Sequence, residues 1–192
     1  VPTGCSLSFE ESCTLPVVWS TVHVCFSRSN VVAGGQTLVH AAAGGVGLKA
    51  LEYAAWLHPC CFASAGRPFK HVVFSGAQVS TGSSRNSSAF TVGVPVLLSR
   101  KRLNLVVNSL SSDFITISFA MLGEGCVLEE IGKRSIWSQQ RRRTAMPLCR
   151  YGVIALDNDL NSHPGWMQAV LRILSARTTA NSVHALPFVS YD

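Results

Sequence analysis

The sequence has no apolar run approaching the roughly 20 residues that a membrane-crossing helix needs, so it is not expected to span a bilayer despite a mean hydropathy of +0.28. Its seven cysteines form no Cys-x-x-Cys pair, and no close Cys/His cluster occurs. A disulfide framework and a tetrahedral zinc site are therefore both disfavoured. A reducing, cytoplasmic setting fits, with Cys60-Cys61 filling a buried strand. The opening Val1-Pro2-Thr3-Gly4 has neither a basic start nor a following apolar segment, so no signal peptide is visible. With no initiator Met, further sequence is expected before Val1. Acidic residues are scarce. None lies between Glu52 and Asp113, an interval holding Arg67, Lys70, Arg85, Arg100, Lys101 and Arg102, and the net charge is +6. An anionic ligand is expected near this part of the chain. No internal repeat is apparent.

What is present is a well-patterned globular chain. Of 192 residues, 47% are apolar and 14% charged, enough for one substantial core. Gln36 to His40 reads as a buried strand entering a small-residue turn. A helix follows from Val46 to Leu57, with Lys49 and Glu52 on a separate face and Pro59 closing it. Cys60 to Ala63 forms the next strand, and a short strand is expected near Gln78-Val79. From Ser88 to Ser99, Gly93 and Pro95 argue against a regular helix. Leu103 to Val107 is a buried strand, and a helix begins at Asp113 and is ended by Gly123 and Gly125. Strands at Val127 to Ile131 and Tyr151 to Leu156 precede a helix from Pro164 to Ala176. Such alternation predicts an α/β, doubly wound parallel sheet of the Rossmann type. The run Arg141-Arg142-Arg143 lacks interleaved aromatics and reads as a solvated loop face rather than a nucleic-acid arm.

The first strand-to-helix turn, Ala42-Ala43-Gly44-Gly45-Val46-Gly47, is the dinucleotide pattern Gly-x-Gly-x-x-Gly with Ala in its first position. Ala43, Gly44, Gly45, Val46 and Gly47 would cradle a pyrophosphate at a helix N-terminus, or the glycines serve only a tight turn. An NAD-binding turn is followed about 20 residues later by an acidic residue that accepts from the ribose. Here the second strand ends at Ala63-Ser64 and is followed by Arg67 and Lys70. Two cations at that place favour NADPH, whose extra phosphate they can neutralise, or are simply solvated.

The stretch Leu38 to Gly47 resembles the cofactor turn of the medium-chain reductase superfamily. Val107-Asn108-Ser109-Leu110-Ser111, Glu130-Ile131-Gly132-Lys133-Arg134-Ser135-Ile136-Trp137 and Ile154-Ala155-Leu156-Asp157 resemble the enoyl reductase domains of polyketide synthases and animal-type fatty acid synthases. Ser6 to Phe26 resembles that family's entry from its substrate lobe. The resemblance implies hydride transfer from NADPH to the β-carbon of an α,β-unsaturated thioester on an acyl carrier protein, followed by protonation at the α-carbon, with no metal. It implies catalytic roles for Lys133 and Asp157 and cofactor contacts from Ser64, Ser84, Arg85, Asn108, Ser109 and Leu110. Arg67 and Cys126 depart from the family pattern.

The same resemblance divides the chain into an entry segment (1–30), an NADPH-binding domain (31–182) and a return segment (183–192), with the substrate lobe largely absent. The expected partners are the carrier protein and other domains of the same synthase, with no nucleic acid and no membrane. Two alternatives stay open: a stand-alone, zinc-free NADPH:quinone reductase, and a catalytically silent cofactor-binding module. A short-chain ketoreductase is disfavoured, because Tyr53 and Tyr151 are followed four residues later by Leu57 and Ala155 rather than Lys.

Overall fold

The computed structural model describes residues 7–57, 60–76, 79–83, 87–110, 113–134 and 136–189. Its elements in order are α1 (Phe9–Cys13), α2 (Pro16–Ser29), β1 (Gln36–Val39), α3 (Gly45–Leu57), β2 (Cys60–Ala65), α4 (Pro68–Gly76), β3 (Ser80–Ser83) and α5 (Ser87–Leu98). There follow β4 (Leu103–Asn108), α6 (Asp113–Met121), β5 (Leu122–Glu130), α7 (Gln139–Ala145), β6 (Arg150–Val153), α8 (Leu156–Ser162) and α9 (Pro164–Thr179). The strands form one sheet in the order β3-β2-β1-β4-β5-β6, every pair parallel. The chain leaves β1 in one direction and returns to its other side at β4, so the strand order reverses between these two, where doubly wound sheets bind ligands. The expected fold is present, and the described residues contain no second lobe.

Local chemistry explains the helix limits. Helix α2 starts with Pro16 in its first turn, where a missing N–H costs nothing, and stops at Asn30 in a left-handed conformation (φ 52°). It covers one sheet face with Val22, Cys25 and Phe26, packed with α3 residues Ala50 and Ala54 against Val39, Ala63 and Leu105. The opposite face buries Leu38, Val106 and Leu128 under Phe90, Val94, Leu98, Ile115 and Phe119. Among the described residues no helix is long and apolar enough to cross a membrane.

Several local expectations are corrected. The 87–98 segment is helical despite Gly93 and Pro95, because Phe90, Val94 and Leu98, four residues apart, are all buried. That burial outweighs the amide lost at Pro95. The third strand lies at Ser80–Ser83, after the expected Gln78-Val79, and Gln78 falls outside the described residues. Helix α6 ends at Met121, before Gly123 and Gly125, which instead lie within β5. They accommodate the register shift between Leu103 and Leu105 of β4, Gly125 at φ 71°.

Strand β6 ends at Val153, which places Asp157 in the first turn of α8 with Asp159, where the helix dipole favours carboxylates. Cys60 is exposed, since the burial of β2 begins only at Phe62. The arginine run is helical. Arg141 sits 4.0 Å over the Trp137 ring and Arg142 lies over Tyr151 while donating to its carbonyl at 3.0 Å.

One corner joins distant parts of the chain. Lys49, buried in α3, donates to the Glu52 carboxylate and to the His184 carbonyl. Glu52 in turn accepts from His184 N at 2.9 Å and contacts His184 Nδ1 at 2.7 Å. Leu186 N donates to Thr14 Oγ1 at 3.1 Å.

Glu129 of β5 is buried, and its Oε2 has no hydrogen-bond partner among the described residues. Loss of hydration pushes its carboxyl up to about 7, against the smaller opposing pull of Arg28 and Arg150. The folded state therefore holds a proton there that the unfolded chain releases, a contribution present below pH 4.5 and lost as pH rises through 7. His40 and His23, both pushed down by burial, oppose it in the same window, so the informative quantity is a difference. Relative to wild type, Glu129→Gln is expected to gain up to about 1.4 kcal/mol per pH unit crossed between pH 5 and 7. Urea melts of both proteins at pH 5, 6, 7 and 8 measure this, and parallel curves would contradict it.

Candidate active site

The turn after β1 is built by close backbone contacts. His40 N donates to Val107 O and Ala42 N to Ser64 O, both at 3.0 Å, which ties the turn to β4 and β2. Ala41 adopts a left-handed conformation (φ 47°), and Gly44 N closes back on its carbonyl at 2.9 Å. The first α3 bond runs from Leu48 N to Gly44 O, which leaves the N–H groups of Gly45, Val46 and Gly47 ahead of the helical ladder. A Cβ on Gly47 would lie 2.4 Å from Ala42 Cα, so only glycine lets the helix start this close to the strand. Gly44 and Gly45 are exposed. Together these amides and the helix dipole form a cradle that fits a pyrophosphate.

Behind the cradle, His40 is fully enclosed and its ring nitrogens contact Ser64 Oγ at 2.9 Å and Ser118 Oγ at 2.8 Å. Burial pushes its pKa down to about 3, so the ring is neutral. Ser64 also accepts from Ala41 N at 3.3 Å; its hydroxyl faces inward and supports the turn. At the β2 end, Arg67 is exposed and Lys70 half-buried, and among the described residues neither forms an ion pair. Ser84 and Arg85 lie outside the described residues.

Across the switch point, Ser109 is exposed at the end of β4 and its hydroxyl lies 3.4 Å from His40 O. A cavity of about 300 Å³ opens there, lined by Ser109, Leu110, Ile115, Glu130, Gly132 and Lys133, with Arg134 at its edge. Asn108 is buried, with its side chain turned to Glu130 and Leu110 rather than to solvent. Lys133 Nζ stands 3.5 Å from Asp157 Oδ2, both side chains well exposed. The backbone N–H of Asp157 and then Lys133 hold that carboxyl below its ordinary range.

The structure therefore gathers Ala43–Gly47, Ser109, Leu110, Lys133 and Asp157 around the C-terminal edge of the sheet, while Ser64 and Asn108 stand behind it as supports. The sequence reading passed over Glu130 and His40. Their available signal was polarity inside apolar runs: two consecutive acids closing β5 and one histidine closing β1.

No family profile matches the chain. A highly reducing polyketide synthase, ZEA2 from Gibberella zeae, is 34% identical over 135 residues, which is 68% of this chain and 6% of that protein. The crystal structure of CurK enoyl reductase superposes with a TM-score of 0.89 at 27% identity, over 97% of this chain and 56% of that one. The chain is thus similar to polyketide synthases in sequence and to their enoyl reductase domains in structure, and it spans only a small part of those synthases. The nucleotide-binding subdomain of the enoyl reductase domain of PpsC from Mycobacterium tuberculosis shares the fold at a TM-score of 0.77 and 22% identity. The two match over 89% of the present chain and 97% of the subdomain's length.

Gly47→Ala is expected to destabilise the chain by about 1–3 kcal/mol, because backbone and not a side-chain tip must move. Gly93→Ala, in open space within α5, should instead stabilise by about 0.5–1 kcal/mol. Chemical denaturation of the two variants checks both signs.

Proposed function

We propose that this chain is the cofactor-binding part of an enoyl reductase domain that reduces the α,β-unsaturated acyl thioester presented by an acyl carrier protein, using NADPH. The carrying observation is the Gly44–Gly47 cradle on one side of the β1/β4 switch point with the Lys133–Asp157 pair beside the cavity on the other. In this reading residues 1–30 enter from the substrate lobe, 31–182 bind cofactor and 183–192 return, with other domains of the same synthase as neighbours.

The residues divide the work by position. The amides of Gly45, Val46 and Gly47 hold the pyrophosphate. Arg67 and Lys70 meet the 2′-phosphate beyond β2, helped by Ser84 and Arg85. Ser109 and Leu110, backed by Asn108, contact the cofactor where β4 ends. Bound NADPH supplies the hydride that reduces the β-carbon. Negative charge then develops on the thioester oxygen, where the Lys133 ammonium stabilises it or donates a proton to the α-carbon. Asp157, 3.5 Å away, holds that ammonium in place.

Two measurements test the reading. NADPH should bind at least ten times more tightly than NADH, about 1.4 kcal/mol, and Lys70→Ala should narrow that gap; equal affinities remove the 2′-phosphate assignment. Lys133→Ala, placed in the intact synthase, should lower enoyl thioester turnover by about 10²-fold or more while NADPH affinity changes little. A large loss of affinity with intact turnover would move Lys133 from catalysis to binding.

A further inference from the structure

The cavity between the ends of β4 and β5 contains one carboxylate to which the proposed reaction gives no task. Glu130, the last residue of β5, is 1% exposed. Its Oε2 accepts from Asn108 Nδ2 at 2.5 Å and its Oε1 from Gly132 N at 2.6 Å. Asn108 Nδ2 also donates to Leu110 O at 2.7 Å, while Asn108 Oδ1 accepts from Leu110 N at 3.2 Å. One side chain thus ties the loop after β4, which carries Ser109 and Leu110, to the loop after β5, which carries Lys133.

The chemistry of the pair is selective. Two donors converge on Glu130, and a carboxylate offers both of its oxygens as acceptors, whereas the isosteric amide offers one. Burying a carboxylate is costly, and a well-packed apolar residue at the same place would ordinarily hold the fold at least as well. Nothing but glycine follows two residues later without disturbance, since a Cβ on Gly132 would fall 2.7 Å from Glu130 Oε1. The site keeps an expensive group and the small residue that accommodates it. A return for that cost is geometric: the separation of the two loops is set by one rigid planar group.

We propose that Glu130 is a positioning residue which, through Asn108 and Gly132, sets the spacing between the Ser109–Leu110 loop and the Lys133 loop at the nicotinamide end of the cofactor cleft. The inference rests on the cofactor reading given above. It separates the two ends of the cleft, because the proposed 2′-phosphate end lies at the β2 turn, where no described residue bonds to Glu130.

The test is titration of this chain, as wild type, Glu130→Ala and Glu130→Gln, with NADPH and with 2′,5′-ADP, which carries only the adenosine half. Glu130→Ala should weaken NADPH at least tenfold and leave 2′,5′-ADP within twofold. Glu130→Gln, which keeps the volume and one acceptor, should fall between wild type and Ala for NADPH and keeps the comparison available if the Ala variant does not fold. Amide hydrogen exchange should quicken at Leu110 and Gly132 in the variants and stay unchanged across β1 and β2. Unchanged NADPH affinity in a folded variant overturns the inference, and so does equal weakening of both nucleotides, which would mark Glu130 as holding the fold alone. If wild type binds neither nucleotide, the cofactor reading falls and takes the inference with it, an outcome distinct from the other two.

Discussion

The contact between Gly47 and the backbone of Ala42 sets the geometry on which the rest of the sheet's C-terminal edge depends. With no Cβ between them, α3 begins against the end of β1, and its unpaired amides face the gap that opens where the chain order reverses. The turn is then held from both sides, by Val107 of β4 and Ser64 of β2, and from beneath by the neutral His40 ring. The amides that open α3 are therefore main-chain groups fixed by packing. Among the described residues, charged side chains enter at the two ends of the cleft.

That division matters electrostatically. The β2 end presents cations without partners among the described residues, Arg67 and Lys70, suited to an anion arriving from solvent. The other end presents Lys133 already beside Asp157, so its charge is partly committed and less able to compete for the same phosphate. Beneath the surface the sheet carries two consecutive buried carboxyls with different surroundings. Glu129 lies towards α2 with an oxygen left unpaired, whereas both oxygens of Glu130 accept hydrogen bonds. Burial pushes both up to about 7, and in Glu130 the bonds from Asn108 and Gly132 N oppose that rise.

Features dictated by backbone geometry were legible from the chain alone. Gly44 to Gly47 could be placed because a strand, a tight turn and a helix start leave few residue choices, and the same holds for the buried strands at Gln36 and Leu103. What escaped was decided by contacts distant in sequence. Helix α5 survives Pro95 because Phe90, Val94 and Leu98 find the sheet. Arg141 and Arg142 are ordered by Trp137 and Tyr151, which no local composition announces. The helical start at Leu156 was hidden by an apolar run that continues β6 on paper. Glu130 looked like an ordinary charged strand end, and its meaning appears only when Asn108, 22 residues earlier, is beside it.

The corner where Thr14 meets Leu186 and Lys49 meets Glu52 and His184 has a mechanical consequence. The polypeptide passes that corner twice, 172 residues apart in sequence, and both passages are bonded to each other or to α3. A pull or twist on either passage is delivered to the same point of the body, next to the first turn of α3, where the Leu186 side chain stands 3.1 Å from the place a Gly45 Cβ would occupy. Such a double-stranded strap resists peeling at one passage alone. The glycine turn that opens α3 is held against this corner by the Leu186 side chain.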